Sequence, residues 1–145
     1  MESLLAELGP LLYGYNYQVF LGIYRVPFMS DASAEWYIRQ ALGPSAEIGG
    51  VAPVAGSEIE AEVEGSLRYA GDAGSGPKPS ILKSRKFEAL VSAVLSELRL
   101  TISGAELLAR FWVRNGHPAY PVFWDFAFVM VGPSGGIVFI GSSSD

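Results

Sequence analysis

The chain has 145 residues, of which half are apolar and only 17% are charged, and its net charge is −5. This length suits one domain, and the apolar composition excludes disorder for most of the chain. The acidic balance excludes nonspecific nucleic-acid binding, which needs clustered positive charge. The absence of cysteine excludes disulfides, thiolate nucleophiles and cysteine-rich zinc sites.

The sequence also argues against a membrane or secreted location. Polar residues, glycine or proline interrupt every apolar stretch before the roughly 18 residues that a membrane-spanning helix needs. Residues 2–7 are acidic where a secretory signal is basic. We therefore expect a cytoplasmic protein with a single domain over residues 1–145 and neither membrane nor nucleic acid as a partner.

The first two predicted elements are a helix and a long strand. Leucines at helical spacing predict a short helix over residues 2–12, although Gly9-Pro10 must break or restart it. From Tyr13 to Val26, apolar side chains occupy both parities, which predicts a strand covered on both faces. Pro27 ends this strand.

The middle of the chain predicts a second helix and a second strand. A helix capped by Ser30 or Asp31 runs to Leu42, and a loop or weak edge strand follows at residues 49–56. Between residues 58 and 69, apolar residues alternate with glutamates and an arginine. That alternation predicts a strand with one exposed face.

Two helices are predicted beyond a glycine-rich loop at residues 71–77. Apolar residues between positions 87 and 98 recur at the spacing of one face of an amphipathic helix. A capping box at Ser103–Glu106 predicts the other helix, which ends at Asn115-Gly116.

The last part of the chain predicts a hairpin, and with it the fold class. Apolar runs at residues 120–131 and 137–140 flank a turn at Gly132–Gly136. The turn matches the G-x-S-x-G pattern, but that nucleophile motif needs a helix after it, so the match is accidental. Because the elements lack regular βα alternation, we expect an α+β fold: a four- or five-stranded antiparallel or mixed sheet with helices packed on one face.

His117 is the only histidine and the only side chain that normally titrates near neutrality. Its position just past a predicted helix end favours a structural role, since the helix dipole stabilises a cation there. Acid–base catalysis is the alternative. Metal ligation lacks a second histidine or a cysteine, and we expect neither a metal nor another cofactor.

Asp125 lies among aromatic residues at positions 123–128. The simpler interpretation is that its carboxylate points to solvent or pairs with Arg110 or Arg114. The functional interpretation is a carboxylate of raised pKa in an aromatic-lined pocket, able to hold a proton or bind a cationic or hydroxylated ligand. Further candidates for a ligand site are Trp36, Tyr37 and Trp112.

Two clusters of charge are also notable. Glutamates at positions 58, 60, 62 and 64 would line one strand face, where solvent screens them. Basic residues precede or open the long helix: Lys78, Lys83, Arg85 and Lys86. Simple solvation, pairing with the glutamates within or between subunits, and a phosphate-like ligand are the three interpretations of the basic cluster.

The aromatic and aliphatic content favours self-association. Eight phenylalanines, seven tyrosines and three tryptophans exceed what a small, weakly charged monomer usually covers, so a homodimer is expected. The leucine-rich amino terminus, the Trp36-Tyr37 helix and the outer side of the first strand are the expected contact surfaces.

Two classes of function follow from this inventory. The favoured one is a noncatalytic, oligomeric binding or protein-interaction module with an aromatic-lined cleft for a small molecule or a protein. The alternative is a small cofactor-independent isomerase or hydrolase in which Asp125 works with His117 or a tyrosine as acid and base. Placement of Asp125 and His117 in one pocket would favour catalysis.

Overall fold

The structure is a computed structural model that describes residues 1–145. It contains five helices and five strands, none of the helices being both long and apolar enough to cross a bilayer. In chain order they are α1 (Glu2–Leu11), β1 (Gln18–Val26), α2 (Ala34–Leu42), β2 (Glu47–Pro53), α3 (Gly56–Leu67), α4 (Pro79–Leu82), α5 (Arg85–Gly104), β3 (Leu107–Asn115), β4 (Trp124–Gly132) and β5 (Gly135–Ser144).

All five strands form one antiparallel sheet in the order β1-β5-β4-β3-β2. The predicted carboxyl-terminal hairpin lies at its centre, where Gly132 pairs with Gly135 around a two-residue turn. The α+β class and the antiparallel sheet are thus confirmed. β5 continues past Ile140 to Ser144 and pairs along β1, which becomes one edge of the sheet.

Helices cover both faces of the sheet unequally. α1, α3 and α5 pack on one face and enclose a core of 18 buried residues. α2 alone packs on the other face, over a core of nine buried residues that includes Ile38, Val129 and Val138. The expectation of helices on one face therefore describes three of the longer helices, while α2 lies opposite them.

Residues 56–67 form helix α3, so the predicted strand at 58–69 is wrong. The buried residues Ile59, Val63 and Leu67 recur every four positions and pack towards α5. The alternation of apolar and charged residues was misleading. Ala61, one of the apolar residues that form it, is exposed. Burial follows the helical period and not the period of two.

The helix predicted to open at Ser103 is also wrong. α5 runs through that position to Gly104, and residues 107–115 form strand β3. Ala109 and Phe111 pack into the α2 core while Leu108 packs against the opposite core, which is the alternation of a strand. His117 therefore follows a strand, and the helix-dipole explanation for its position does not apply.

Three element boundaries differ from expectation. α1 continues through Gly9 and Pro10 and ends at Leu11, one residue beyond the proline, so Pro10 marks the end of the helix and does not break it in two. The cap of α2 is Ser33, whose hydroxyl accepts from the Trp36 amide at 3.1 Å. β1 begins only at Gln18, since the residues before it form isolated bridges.

Candidate functional site

Asp125 and His117 border the same cavity, which has a volume of about 340 Å³. Its walls are β3, the start of β4 and the connection at residues 116–121. Trp112, which is 53% exposed, lines it as well. The structure thus brings these three sequence candidates together at one end of the sheet.

Asp125 is exposed and forms no ion pair. The side chain of Arg110, one of its expected partners, instead pairs with Glu62 at 3.0 Å. The aromatic neighbours Trp124 and Phe126 lie on the other face of β4, where their rings stack with centroids 5.9 Å apart. The residues that flank Asp125 in sequence therefore do not enclose it in space.

His117 is held by its own loop. The Ala119 amide donates to Nδ1 at 3.0 Å, and the Ala119 carbonyl oxygen lies beside the same nitrogen. Nε2 is buried and has no hydrogen-bond partner. A catalytic imidazole needs a nitrogen within reach of substrate or water; in this conformation Nε2 of His117 is buried and Nδ1 is engaged by Ala119.

Trp36 and Tyr37 lie on α2, away from this cavity. Tyr37 is 1% exposed, and its hydroxyl bonds both backbone groups of Met29, at 3.0 and 3.1 Å. Trp36 packs edge-on against Tyr37 and borders a separate depression with the exposed Phe28 and Met29. Tyr37 is thus a core residue, and Trp36 belongs to a different surface.

The glutamates at 58–64 do not form a row, because they lie on a helix. Arginines from several elements pair with them, in the pairs Glu60–Arg99, Glu62–Arg110 and Glu64–Arg68. The basic cluster is not their partner: Lys78, Lys83 and Arg85 are exposed without ion pairs, and Lys86 lies 4.0 Å from Glu7. No group of three or more His, Cys, Asp or Glu side chains could hold a metal ion.

The outer edge of β1, here called the β1 edge, is an open edge of the sheet. β1 pairs with β5 over nine residues without a register shift. No backbone hydrogen bond outside that pairing involves residues 18–26. Half of the N–H and C=O groups of β1 therefore face outwards without a partner, as a template for a further strand.

Apolar side chains accompany these free backbone groups. Phe20, Leu21, Gly22, Ile23 and Tyr24 are all only half-buried. Together with Leu5 and Ala6 of α1 they line a groove of about 300 Å³ along the edge. The β1 edge thus combines main-chain donors and acceptors with an apolar trough.

One ion pair connects the two sides of this groove. Arg25 Nε donates to Glu2 Oε1 at 2.5 Å, which ties the start of α1 to the end of β1. The hydrogen bond from Arg25 lowers the pKa of Glu2 to about 2. Both side chains are exposed, so water weakens the attraction between them.

The opposite edge of the sheet, β2, is protected. Its register shifts twice, on either side of Ile48, and it ends at Pro53. Bulges and prolines of this kind are how natural sheets block edge-to-edge pairing. A proline, Pro27, also follows β1, but β1 has no register shift along its nine residues, so the sheet has one irregular and one regular, open edge.

Comparison with protein-family models finds no match, and comparisons with curated proteins and with solved structures find no similar chain. The chemistry of its own surfaces therefore carries any functional conclusion. Sequence reasoning expected the outer side of the first strand to be a contact surface but could not identify β1 as the open edge. The one available signal was a long apolar strand near the amino terminus with a single charged residue, Arg25.

Proposed function

We propose that this protein is a noncatalytic interaction module that binds an extended polypeptide segment by strand addition at the β1 edge. The observation that carries the proposal is the contrast between β1, whose pairing is regular and whose outer edge is apolar and unpaired, and β2, whose register shifts twice. In strand addition, main-chain hydrogen bonds provide affinity and the flanking side chains provide selectivity.

The groove selects for apolar character on both sides of the incoming strand. Leu21 and Ile23 pack towards the α1 side, whereas Phe20 and Tyr24 pack towards the α2 side. A bound segment therefore needs apolar residues on both parities, with at least one aromatic or β-branched residue opposite Phe20 or Tyr24. A polar, alternating segment would leave one side of the groove unfilled.

Selection of random displayed peptides tests the proposal. Wild-type protein, immobilised sparsely so that edges stay free, serves as bait, and each selected peptide is then measured against two variants. Tyr24→Lys puts a charge on the β1 edge, and Val51→Lys does the same on β2. Both wild-type side chains are half-buried and pack against the α2 core, so the two substitutions disturb the fold comparably.

The proposal expects selected peptides to be apolar and extended, to bind Val51→Lys as tightly as wild type, and to lose at least about tenfold in affinity for Tyr24→Lys. Selected peptides that bind Tyr24→Lys as tightly as wild type would refute it. A selection that yields no binder would refute it too.

A second candidate is a small cofactor-independent hydrolase or isomerase. It is favoured by one observation, that Asp125 and His117 border a single cavity. Activated esters such as p-nitrophenyl acetate test it: hydrolysis that is lost in Asp125→Asn and in His117→Gln would support it. Equal hydrolysis by all three proteins would exclude the hydrolase.

A further inference from the structure

Resting on the proposed function, we infer that the segment bound at the β1 edge is the same strand of a second copy of this chain. The two β1 strands pair antiparallel about a two-fold axis at Gly22, and one sheet runs continuously through both copies. A two-fold contact uses the same surface twice, so the β1 edge must complement itself. The sequence and the local geometry of β1 meet this requirement.

The register centred on Gly22 pairs like with like on both sides of the sheet. Phe20 lies opposite the partner's Tyr24, and Leu21 lies opposite the partner's Ile23. Aromatic and β-branched cross-strand pairs of this kind are among the most stabilising in antiparallel sheets. No charged side chain faces another of the same sign.

Gly22 suits the axis because it has no side chain. A Cβ atom placed there would lie 2.9 Å from the Phe20 ring and 3.1 Å from the Tyr24 ring. Both rings therefore lean over Gly22 from either side. Around the axis, the Phe20 and Tyr24 rings of both copies come together above the two Gly22 residues. The four rings then bury one another.

Charge complementarity supports the same register. Arg25 is the only charged residue of β1, and it faces the partner's Val19. The carboxyl-terminal part of α1 lies beside Val19, since a Cβ on Gly9 would be 3.9 Å from the Val19 carbonyl oxygen. The last turn of α1 has no basic residue of its own. Arg25 of one copy, while bound to Glu2 of its own α1, thus also lies beside the negative end of the other copy's α1 dipole.

The outward side of α1 leaves room for the partner. The axis places both α1 helices on the same face of the joined sheet, next to each other. Ala6 lines the groove together with Glu2, which Arg25 holds, and Ser3 and Pro10 are exposed at helical spacing from Ala6. The small side chains of Ser3 and Ala6 on this side let the two helices approach each other.

Sedimentation equilibrium and electron-spin distance measurements test this inference together. The chain has no cysteine, so Gln18→Cys and Glu47→Cys each introduce a single attachment point for a nitroxide, at exposed positions. In the proposed register, residue 18 pairs with position 26, so the two copies of residue 18 lie about 27 Å apart along the strands. The two copies of residue 47, on the outermost strands, lie about 40 Å or more apart.

The inference expects a mass of twice 15.5 kDa for wild type and Val51→Lys, and a dissociation constant at least about tenfold higher for Tyr24→Lys. A dimer whose two residue-47 labels are close, or whose residue-18 distance departs widely from about 27 Å, overturns it. A mass of 15.5 kDa up to about 1 mM also overturns it. If displayed peptides still bind through Tyr24 in that case, the proposed function survives and only the identity of the partner is wrong.

Discussion

Trp124 Nε1 donates a hydrogen bond of 2.7 Å to the hydroxyl of Tyr17, 107 residues earlier in the chain. The bond joins the segment before β1 to the first residue of β4. Tyr17 is 2% exposed and its ring also packs against Tyr69 and Phe123. Part of the aromatic content thus fixes the start of the edge strand, and is not available for association.

Tyr17→Phe removes the acceptor of this bond. We expect a loss of about 1 kcal/mol in the free energy of unfolding, the usual net value of one hydrogen bond. A double-mutant cycle with Trp124→Phe, measured by urea denaturation, checks the assignment. If the two losses are independent and simply add, the bond contributes nothing to stability.

The same tyrosine gives a pH dependence in the alkaline range. Burial raises the pKa of Tyr17 above its usual 10.0, so the folded state holds the phenol proton more tightly than the unfolded state. This contribution is fully present below about pH 10 and is lost as pH rises through the raised pKa. Wild type should therefore lose more stability than Tyr17→Phe between about pH 8 and about pH 11, and equal losses would contradict this.

Glu2→Gln tests the ion pair at the end of the groove. The folded pKa of Glu2, about 2, lies below its usual 4.5, so its contribution is fully present above about pH 4.5, declines below it, and is lost as pH falls through about 2. Because both partners are more than half exposed, we expect less than about 1 kcal/mol. Denaturation at about pH 7 and about pH 3 should show a larger difference between wild type and Glu2→Gln at the higher pH, and an equal or larger difference at the lower pH would contradict the pairing. Arg25→Gln should reproduce the effect of Glu2→Gln at the higher pH.

Two glycine substitutions should have opposite effects on stability. Gly65 lies within α3, and a Cβ atom placed there would have no neighbour within 4 Å, so Gly65→Ala should stabilise by about 0.5–1 kcal/mol. A Cβ on Gly136 would lie 2.5 Å from the ring of Tyr37, which is buried and held by Met29. Gly136→Ala should therefore destabilise by about 1–3 kcal/mol. Thermal unfolding of both variants decides, and equal shifts would contradict the packing described for Tyr37.

The elements best predicted from the sequence are those whose pattern is complete within one continuous segment. Residues 87–98 repeat the helical period long enough to exclude a strand, and the Gly132–Gly136 turn fixes the hairpin register without help from other segments. The short apolar runs of α3 and β3 fit both the helical period and the strand period. Only their packing, with α3 on α5 and β3 between β2 and β4, decides between helix and strand.

The candidate site, the β1 edge, could not be predicted from sequence patterns, because they do not contain the order of the strands in the sheet. Whether β1 is an edge is decided by its pairing with β5 at the far end of the chain. The expectation that aromatic side chains would remain exposed rested on the amino-acid composition alone. The structure divides the rings: Tyr37, Phe128 and Phe139 are fully buried, whereas Tyr15 and Tyr120 are 72% and 83% exposed.

Residue-resolved hydrogen exchange tests the central claim, that the β1 edges of two copies pair with each other, most directly. Exchange is followed by NMR at low and high protein concentration, and the amides of β2 serve as the internal control. Alternate amides of β1, those that face outwards, should slow at least about tenfold at high concentration, because a partner's carbonyl groups then bond them. Amides of β2 should keep their rates. Outward amides of β1 that exchange equally fast at every concentration, or slowing confined to β2, would contradict the claim.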